Sequence, residues 1–385
     1  MNIVKNKKIA IIGGGPGGLT LGRLLQMNGA NVNVYERDFN EDVRVQGATL
    51  DLHEESGLRA LLNAGLMEAF KANYRPGADK MRITDNHATI FYDDHKEVSK
   101  ETFGGKFSRL EIDRGPLRKI LLQSLEPGTV IWESHFLKMA QVGTGWKLEF
   151  KNGTTATADI VIGADGANSA IRPLITPLKP FYSGVTAVEG HVYDAETTTP
   201  KIYEMVKGGK IFAFGGEKDF IVSATGDGSL DFYSSWKTGE NWVSDSGIDF
   251  ANKAQVISWF KQAFSEWDSI WLELFENAKS PFIPRPIYCM PLDQTWDALP
   301  NLTLVGDAAH LMPPFAGEGV NMAMLDALEL SECLIDSECK DVQSSIAAYE
   351  KQMRARASEA ARESLENTKW MHSENAMARM MEMFR

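Results

Sequence analysis

The apolar pattern opens with a β-branched run in KKIAIIGG (7–14), which predicts a short buried strand. GLTLGRLLQMNGA (18–30) then carries apolar residues at 19, 21, 24, 25 and 27, predicting a helix that stops at Asn28-Gly29. NVNVYER (31–37) predicts a second strand. Together these make a strand–helix–strand unit of about 30 residues, the crossover that parallel strands require. Further on, WKLEF (146–150) and GTTATADIVIGADG (153–166) predict a hairpin leading into a buried strand. Residues 181–236 predict an antiparallel sheet built from VTAVEGHVY, KIYEMV, KIFAFGG, DFIVSAT and SLDFYSSW, separated by turn residues. NLTLVGDAAH (301–310) returns to strand-then-glycine character, and the stretch from about 343 onward lacks Pro and Gly, predicting one or two long helices. The order is α/β, β-rich, α/β, helix, which implies a nucleotide-binding domain interrupted by a sheet-based second domain.

Composition narrows the function. With 40 basic against 52 acidic residues the net charge is −12, which argues against nucleic acid or an anionic membrane surface as partner. The three cysteines, Cys289, Cys333 and Cys339, are odd in number and loosely spaced, so neither a disulfide framework nor a zinc site is expected and a cytoplasmic location fits. The N-terminal apolar run is too short for a signal peptide, and no window approaches a membrane-spanning length. None of the seven histidines pairs at metal-ligand spacing, and no Ser-His-Asp or paired-carboxylate arrangement is legible, so no metal and no single catalytic acid or base is expected. His310 reads as a structural hydrogen-bonding residue.

The glycines carry the first chemistry. Gly13, Gly15 and Gly18 fill G-x-G-x-x-G directly after a strand and at a helix start. The first permits a tight turn, the second lets a pyrophosphate approach the backbone, and the third lets helix and strand pack closely. The helix N-terminus offers free N–H groups to phosphate. Glu36 ends the second strand, eighteen residues past Gly18, where a carboxylate can accept from ribose hydroxyls. This motif alone does not separate FAD from NAD. Two more follow: DIVIGADGANSAIR (159–172), with Asp165, Ser169 and Arg172, and LVGDAAHLMPPFAGEGVNMAMLDA (304–327), with Asp307.

In this order and spacing the three motifs resemble the group A flavoprotein monooxygenases of the para-hydroxybenzoate hydroxylase type, over nearly the whole chain. GGGPGGLT, VYERD, TLDLH, LEPGTVIW, FSEWD and GDAAHLMPPFAGEGVN are similar to the tetracycline-inactivating Tet(X) subfamily. The resemblance implies a Rossmann-type FAD-binding domain (1–72, 105–176, 285–342), interrupted by a β-sheet substrate domain (73–104, 177–284), with a C-terminal bridging helix (343–385). It implies cofactor contacts from Gly13, Gly15, Pro16, Gly18, Glu36, Arg37, Arg44, Asp51, Arg114, Asp165, Asp307, Pro314, Gly317, Gly319, Val320 and Asn321. Asp307 would bond a ribityl hydroxyl, and the helix starting near Gly319 would aim its positive end at the flavin, where the reduced ring is anionic.

By the same resemblance NADPH or NADH reduces FAD, O2 adds at flavin C4a, and the hydroperoxide's distal oxygen passes to an aromatic or enolic carbon of a small molecule, with a tetracycline as leading candidate. The protein is expected to act as a monomer. The rival readings are a flavin reductase or dehydrogenase without oxygen transfer, and a non-catalytic FAD-holding binder. Substrate contacts are expected from Glu189, Lys210, Asp231 and Phe232, with Met312, Pro313 and Phe315 as apolar walls. Met377, Met381 and Phe384 share a face of the C-terminal helix and are expected at the pocket rim. Four positions depart from the pattern: Glu318 stands where the family has glutamine, and Glu189, Asp231 and Lys210 stand where the tetracycline enzymes carry Gln, His and Arg.

Overall fold

A computed structural model describes residues 4–43, 48–96, 109–336 and 339–384. Arg44 lies outside the described residues. The predicted crossover forms: strand Lys8–Ile12, helix Pro16–Met27 and strand Asn31–Tyr35, with Ile11 opposite Val34 in parallel register. Pro16 opens the helix where a missing N–H costs nothing, and Gly29 closes it at φ +78°. Strand Ile160–Gly163 pairs on the other side of Lys8–Ile12, and Leu302–Leu304 pairs beyond it. With Val130–Ile131 at the far edge, this is a five-stranded parallel sheet. The hairpin Gly145–Phe150 and Thr155–Ala158 joins Phe136–Val142 in a small antiparallel sheet.

A seven-stranded sheet forms the second layer, in the order Ile283–Cys289, Phe181–Val192, Leu230–Lys237, Lys218–Ala224, Lys210–Gly215, Met81–Asp85, Ile90–Asp93. Strand alternation gives it two different faces. One packs Phe220 and Phe232 against Phe260, Trp271 and Phe275 in an aromatic core. The other, carrying Glu189, Lys210 and Tyr233, looks toward the first sheet across a cavity. Two expectations are corrected here. KIYEMV is not a strand but the helix Pro200–Val206, started by its proline. The domain boundary at 285 falls inside strand Ile283–Cys289, whose partner Phe181–Val192 belongs to the large sheet.

The C-terminal segment is two helices, Val342–Met371 and Ala376–Glu382. Asp341 and Ser344 form a capping box at the start of the first. The break at 372–375 alters which residues face inward. Met380, Met383 and Phe384 line the cavity, whereas Met377 and Met381 pack against the Ile83–Phe214–Trp370 cluster. Met377 and Met381, expected at the rim, do not line the cleft, whereas Phe384 does. Among the described residues no helix is long and apolar enough to cross a membrane.

Candidate functional site

A single cleft of about 2620 Å³ runs between the two sheets and gathers all three sequence motifs. At one end lies the glycine loop. A Cβ on Gly13 (φ +114°) would stand 2.2 Å from the Ala164 carbonyl oxygen, and one on Gly18 would stand 2.1 Å from the Gly13 oxygen. These two glycines serve the turn and the close packing. At Gly15 a Cβ would meet no protein atom within 4 Å, so the space above it belongs to the cleft. The loop is thus shaped as a cradle at a helix N-terminus, with its open side at the glycine expected to admit a pyrophosphate. Glu36, almost fully buried, accepts from Gly14 N at 2.7 Å and Asp38 N at 3.1 Å, so its carboxylate fixes the loop while lining the cleft. Pro16 and Arg37 line it as well.

The second and third motifs close the floor. Asp165 Oδ2 accepts from Ala170 N at 2.8 Å, while its buried Oδ1 has no hydrogen-bond partner among the described residues. Such an unsatisfied acceptor beside a polar cleft fits a ligand hydroxyl. Arg172 joins the two motifs, its guanidinium donating to the Asp307 and Ala308 carbonyls, each at 2.7 Å. Burial pushes the Asp307 carboxyl up, against the pull of His310, Arg114 and Arg172. Pro314, Gly317, Gly319 and Val320 bring the N-terminus of helix Gly319–Ile335 to the cleft. These features fit FAD: cradle, orphan acceptor and helix end lie in one continuous groove.

Asn321 does not face this groove. Its fully buried amide accepts from His53 N at 2.9 Å and Gly57 N at 3.2 Å and donates to the Asp51 carbonyl at 2.9 Å. It ties segment 51–57 to the first turn of the helix, and its side chain, engaged in this way, does not line the cleft. Next to it His53 bridges two carboxylates, Nε2 to Asp51 Oδ2 at 3.2 Å and Nδ1 to Glu318 Oε1 at 3.3 Å. Burial opposes the imidazolium, but Asp51 and Glu318 together raise its pKa to about 9.

The large sheet supplies the other wall. Its register sets Glu189 opposite Tyr233 and His191 opposite Asp231. Each charged residue singled out from sequence has a partner: Glu189 with Arg285, Lys210 with the buried Glu111, and Asp231 with His191 Nδ1 at 2.6 Å. Asp231 lies behind His191, which takes its place on the cleft wall. His191 Nε2 has no hydrogen-bond partner among the described residues. Burial disfavours the charged imidazole, but Asp231, Asp227 and Glu189 outweigh it and raise His191. Tyr233 is pushed up to about 12 by burial and then by Glu189. Phe232, one residue out of phase, points into the aromatic core and is no pocket wall. Met312, Pro313, Phe315 and Phe384 do line the cleft, as do Asp51 and Arg114.

Sequence reasoning missed Arg118, His191 and Glu111. Arg118 donates to the Gly14 carbonyl at 2.9 Å and reaches Asp38 at 3.4 Å, gripping the glycine loop from helix Arg114–Gln123. Its signal was its position four residues after Arg114, on the same helix face. His191 was legible as the alternate residue after Glu189 in one strand. Glu111 had no local signal, because its meaning depends on Lys210 from a distant strand.

A family model described as FAD binding domain matches residues 6–279 and 296–364. The monooxygenase asqM of Emericella nidulans is 30% identical over 376 residues, covering 84% of this chain and 83% of its own. Among solved structures, HpxO of Klebsiella pneumoniae with FAD and uric acid superposes with a TM-score of 0.78 at 18% identity, covering 99% of this chain and 92% of that one. The tetracycline destructase Tet(51) superposes with a TM-score of 0.72 at 17% identity, covering 99% and 95%.

Proposed function

We propose, from the premise that the chain belongs to the FAD-binding-domain family of flavoprotein monooxygenases, that it hydroxylates an aromatic or polycyclic small molecule carrying an ionisable hydroxyl. It is an FAD-dependent monooxygenase, and its family uses NAD(P)H and O2. Bound FAD supplies acceptance of hydride from NAD(P)H and activation of O2. The chain's own residues do the rest. The glycine loop, Glu36, Arg118, Asp165 and Asp307 hold the cofactor, and the apolar walls from Met312, Phe315 and Phe384 exclude water.

The observation that carries the substrate class is the His191–Asp231 pair. Asp231 engages Nδ1, which leaves Nε2, covered within the cleft wall, as an acceptor without a partner among the described residues. An imidazole so held takes a proton from a substrate hydroxyl and shares the resulting charge with the carboxylate. The electron-rich oxyanion that remains is a better target for an electrophilic oxygen. Tetracyclines fit this class, but Glu189 stands where that subfamily carries a neutral Gln and Lys210 where it carries an Arg, and both are engaged by protein partners. A smaller hydroxylated ring is the reading this wall supports.

The test is to follow NADPH and NADH oxidation by the yellow holoenzyme with a panel of phenols, hydroxylated N-heterocycles and a tetracycline, with mass spectrometry of the products. Gain of one oxygen atom by a phenolic compound supports the reading. Stoichiometric peroxide with every compound supports a reductase instead, and substrate-independent inertness a binder.

A further inference from the structure

The sequence singles out Glu318 because a carboxylate at the mouth of a helix that faces an anionic reduced flavin is unfavourable. The structure adds a second carboxylate to the same place. Asp51 lines the cleft beside Gly317, where an added Cβ would lie 3.1 Å from Asp51 Oδ1. Glu318 occupies the N-cap position of helix Gly319–Ile335. Two carboxylates at one helix start would repel each other and any anion bound there.

His53 sits between them with a ring nitrogen toward each. An imidazole can donate from both nitrogens only when protonated. A carboxylate facing each nitrogen favours the cation. Its other neighbours are also known. Asp51 faces Arg109 at 3.3 Å and feels Lys210, which is itself paired with Glu111. No other ionisable group contacts His53 among the described residues. The backbone around it is fixed independently, because His53 N donates to Asn321 Oδ1 at 2.9 Å.

We propose that His53 is a positioning residue that neutralises Asp51 and Glu318 at the start of the flavin helix and so sets how tightly the reduced, anionic FAD is held relative to the oxidised form. Glu318 is then not a defect in the motif. It is one arm of a charge clamp whose cation comes from the LDLH segment. The inference rests on FAD occupying the cleft and is independent of the substrate.

The experiment measures the midpoint potential of FAD in the purified holoenzyme and in the His53→Gln, Glu318→Gln and doubly substituted variants. Thermal unfolding and FAD content are measured in parallel. Removing the cation weakens reduced FAD relative to oxidised FAD by about tenfold, the scale of one charge in a partly screened site, and moves the potential negative. Removing the carboxylate moves it positive by a similar factor, and the double variant returns near the parent. In the parent, raising pH through the His53 value of about 9 lowers the potential by an extra increment that His53→Gln lacks. The proposal is overturned if the two single variants shift the same way, or if both keep the parent potential while losing only thermal stability. Failure to hydroxylate any phenol would leave these potentials unchanged and so bears only on the substrate reading.

Discussion

His372, which caps the long C-terminal helix, stands 3.1 Å from Asp219 in the middle of the large sheet, and both side chains are fully buried. Ser235 completes the contact at 2.8 Å from His372 Nε2, and His372 Nδ1 meets the Thr368 carbonyl at 2.7 Å. Phe315, from the loop before the flavin helix, lies edge-on to the imidazole at 5.1 Å. One polar cluster thus ties the C-terminal helix to the substrate sheet and buttresses a cleft wall. Asp219→Ala leaves His372 and Ser235 without that partner in a dry interior, at a cost of about 2–4 kcal/mol. The expected outcome is a lower thermal midpoint and faster tryptic cleavage at Lys369 or Arg379, with a raised KM and an unchanged FAD content. An unchanged protease pattern would mean that the helix is held by its apolar contacts alone.

The glycine loop makes a contrast testable by flavin content. Gly13→Ala must push a Cβ into the Ala164 carbonyl at a φ of +114°, so the loop itself is strained and the fold is destabilised. Gly15→Ala meets nothing in the protein. The expected result is a Gly15→Ala protein with parental thermal stability in its FAD-free form but at least about tenfold weaker FAD binding, since even a methyl excludes a phosphate in van der Waals contact with the backbone. Equal FAD affinity in that variant would place the pyrophosphate elsewhere.

The legible parts of this fold are those where local pattern and final environment agree. Lys8–Ile12, Pro16–Met27 and Asn31–Tyr35 follow from apolar spacing and punctuating glycines, and the antiparallel strands Phe181–Val192, Leu230–Lys237, Lys218–Ala224 and Lys210–Gly215 of the large sheet follow from alternation. KIYEMV misled because six residues cannot distinguish the two periods, and Pro200 favoured the helix. Phe232 and Asp231 show the limit of reading a strand without its register. Adjacent residues point to opposite faces, and only the pairing with Phe181–Val192 tells which face meets the cleft. Most of the motif residues line the cleft, because each motif is written within a few positions. Partners supplied from far away, such as Glu111 for Lys210 and His53 for Glu318, have no local signature.

A buried ion cluster under the third motif sets a pH window. His310 Nε2 lies 2.5 Å from Asp326 Oδ2, and Asp326 also accepts from Gly306 N at 2.8 Å and from Arg356 at 2.7 Å. Burial pushes the Asp326 carboxyl up, but His310 and Arg356 outweigh it and hold it below the ordinary 3.8. Burial likewise opposes the His310 cation, but Asp326 outweighs it and raises His310 above 6.5. A depressed carboxyl stabilises above its unfolded value and loses that share as pH falls through the folded one. A raised histidine stabilises below its unfolded value and loses that share as pH rises through the folded one. The pair is therefore worth most between 3.8 and 6.5. Asp326→Asn is expected to cost about 3–5 kcal/mol there, because it strands His310 and Arg356. Denaturant unfolding across pH checks it, with the gap between parent and variant narrowing at alkaline pH.

The His191–Asp231 pair predicts a pH profile as well as a rate. A base must be neutral to accept, so turnover of a phenolic substrate rises with pH as His191 loses its proton, and the acid limb lies above the ordinary imidazole value of 6.5 because Asp231 and its acidic neighbours outweigh burial. His191→Gln keeps an amide in the cleft but removes the base. The expected loss in kcat/KM is about a hundredfold or more on a substrate that binds protonated, with the acid limb moved to the pKa of the substrate hydroxyl itself. Asp231→Asn retains the imidazole and frees its tautomer, so its loss is smaller and its limb falls toward lower pH as the carboxylate's support is withdrawn. A nitrophenol, whose ionised form absorbs at longer wavelength, reads the same step without turnover. Bound to the parent it should ionise at lower pH than in solution, and bound to His191→Gln it should not. Identical spectra in the two proteins would move the proton acceptor away from His191 and leave the dyad a structural cross-strand pair.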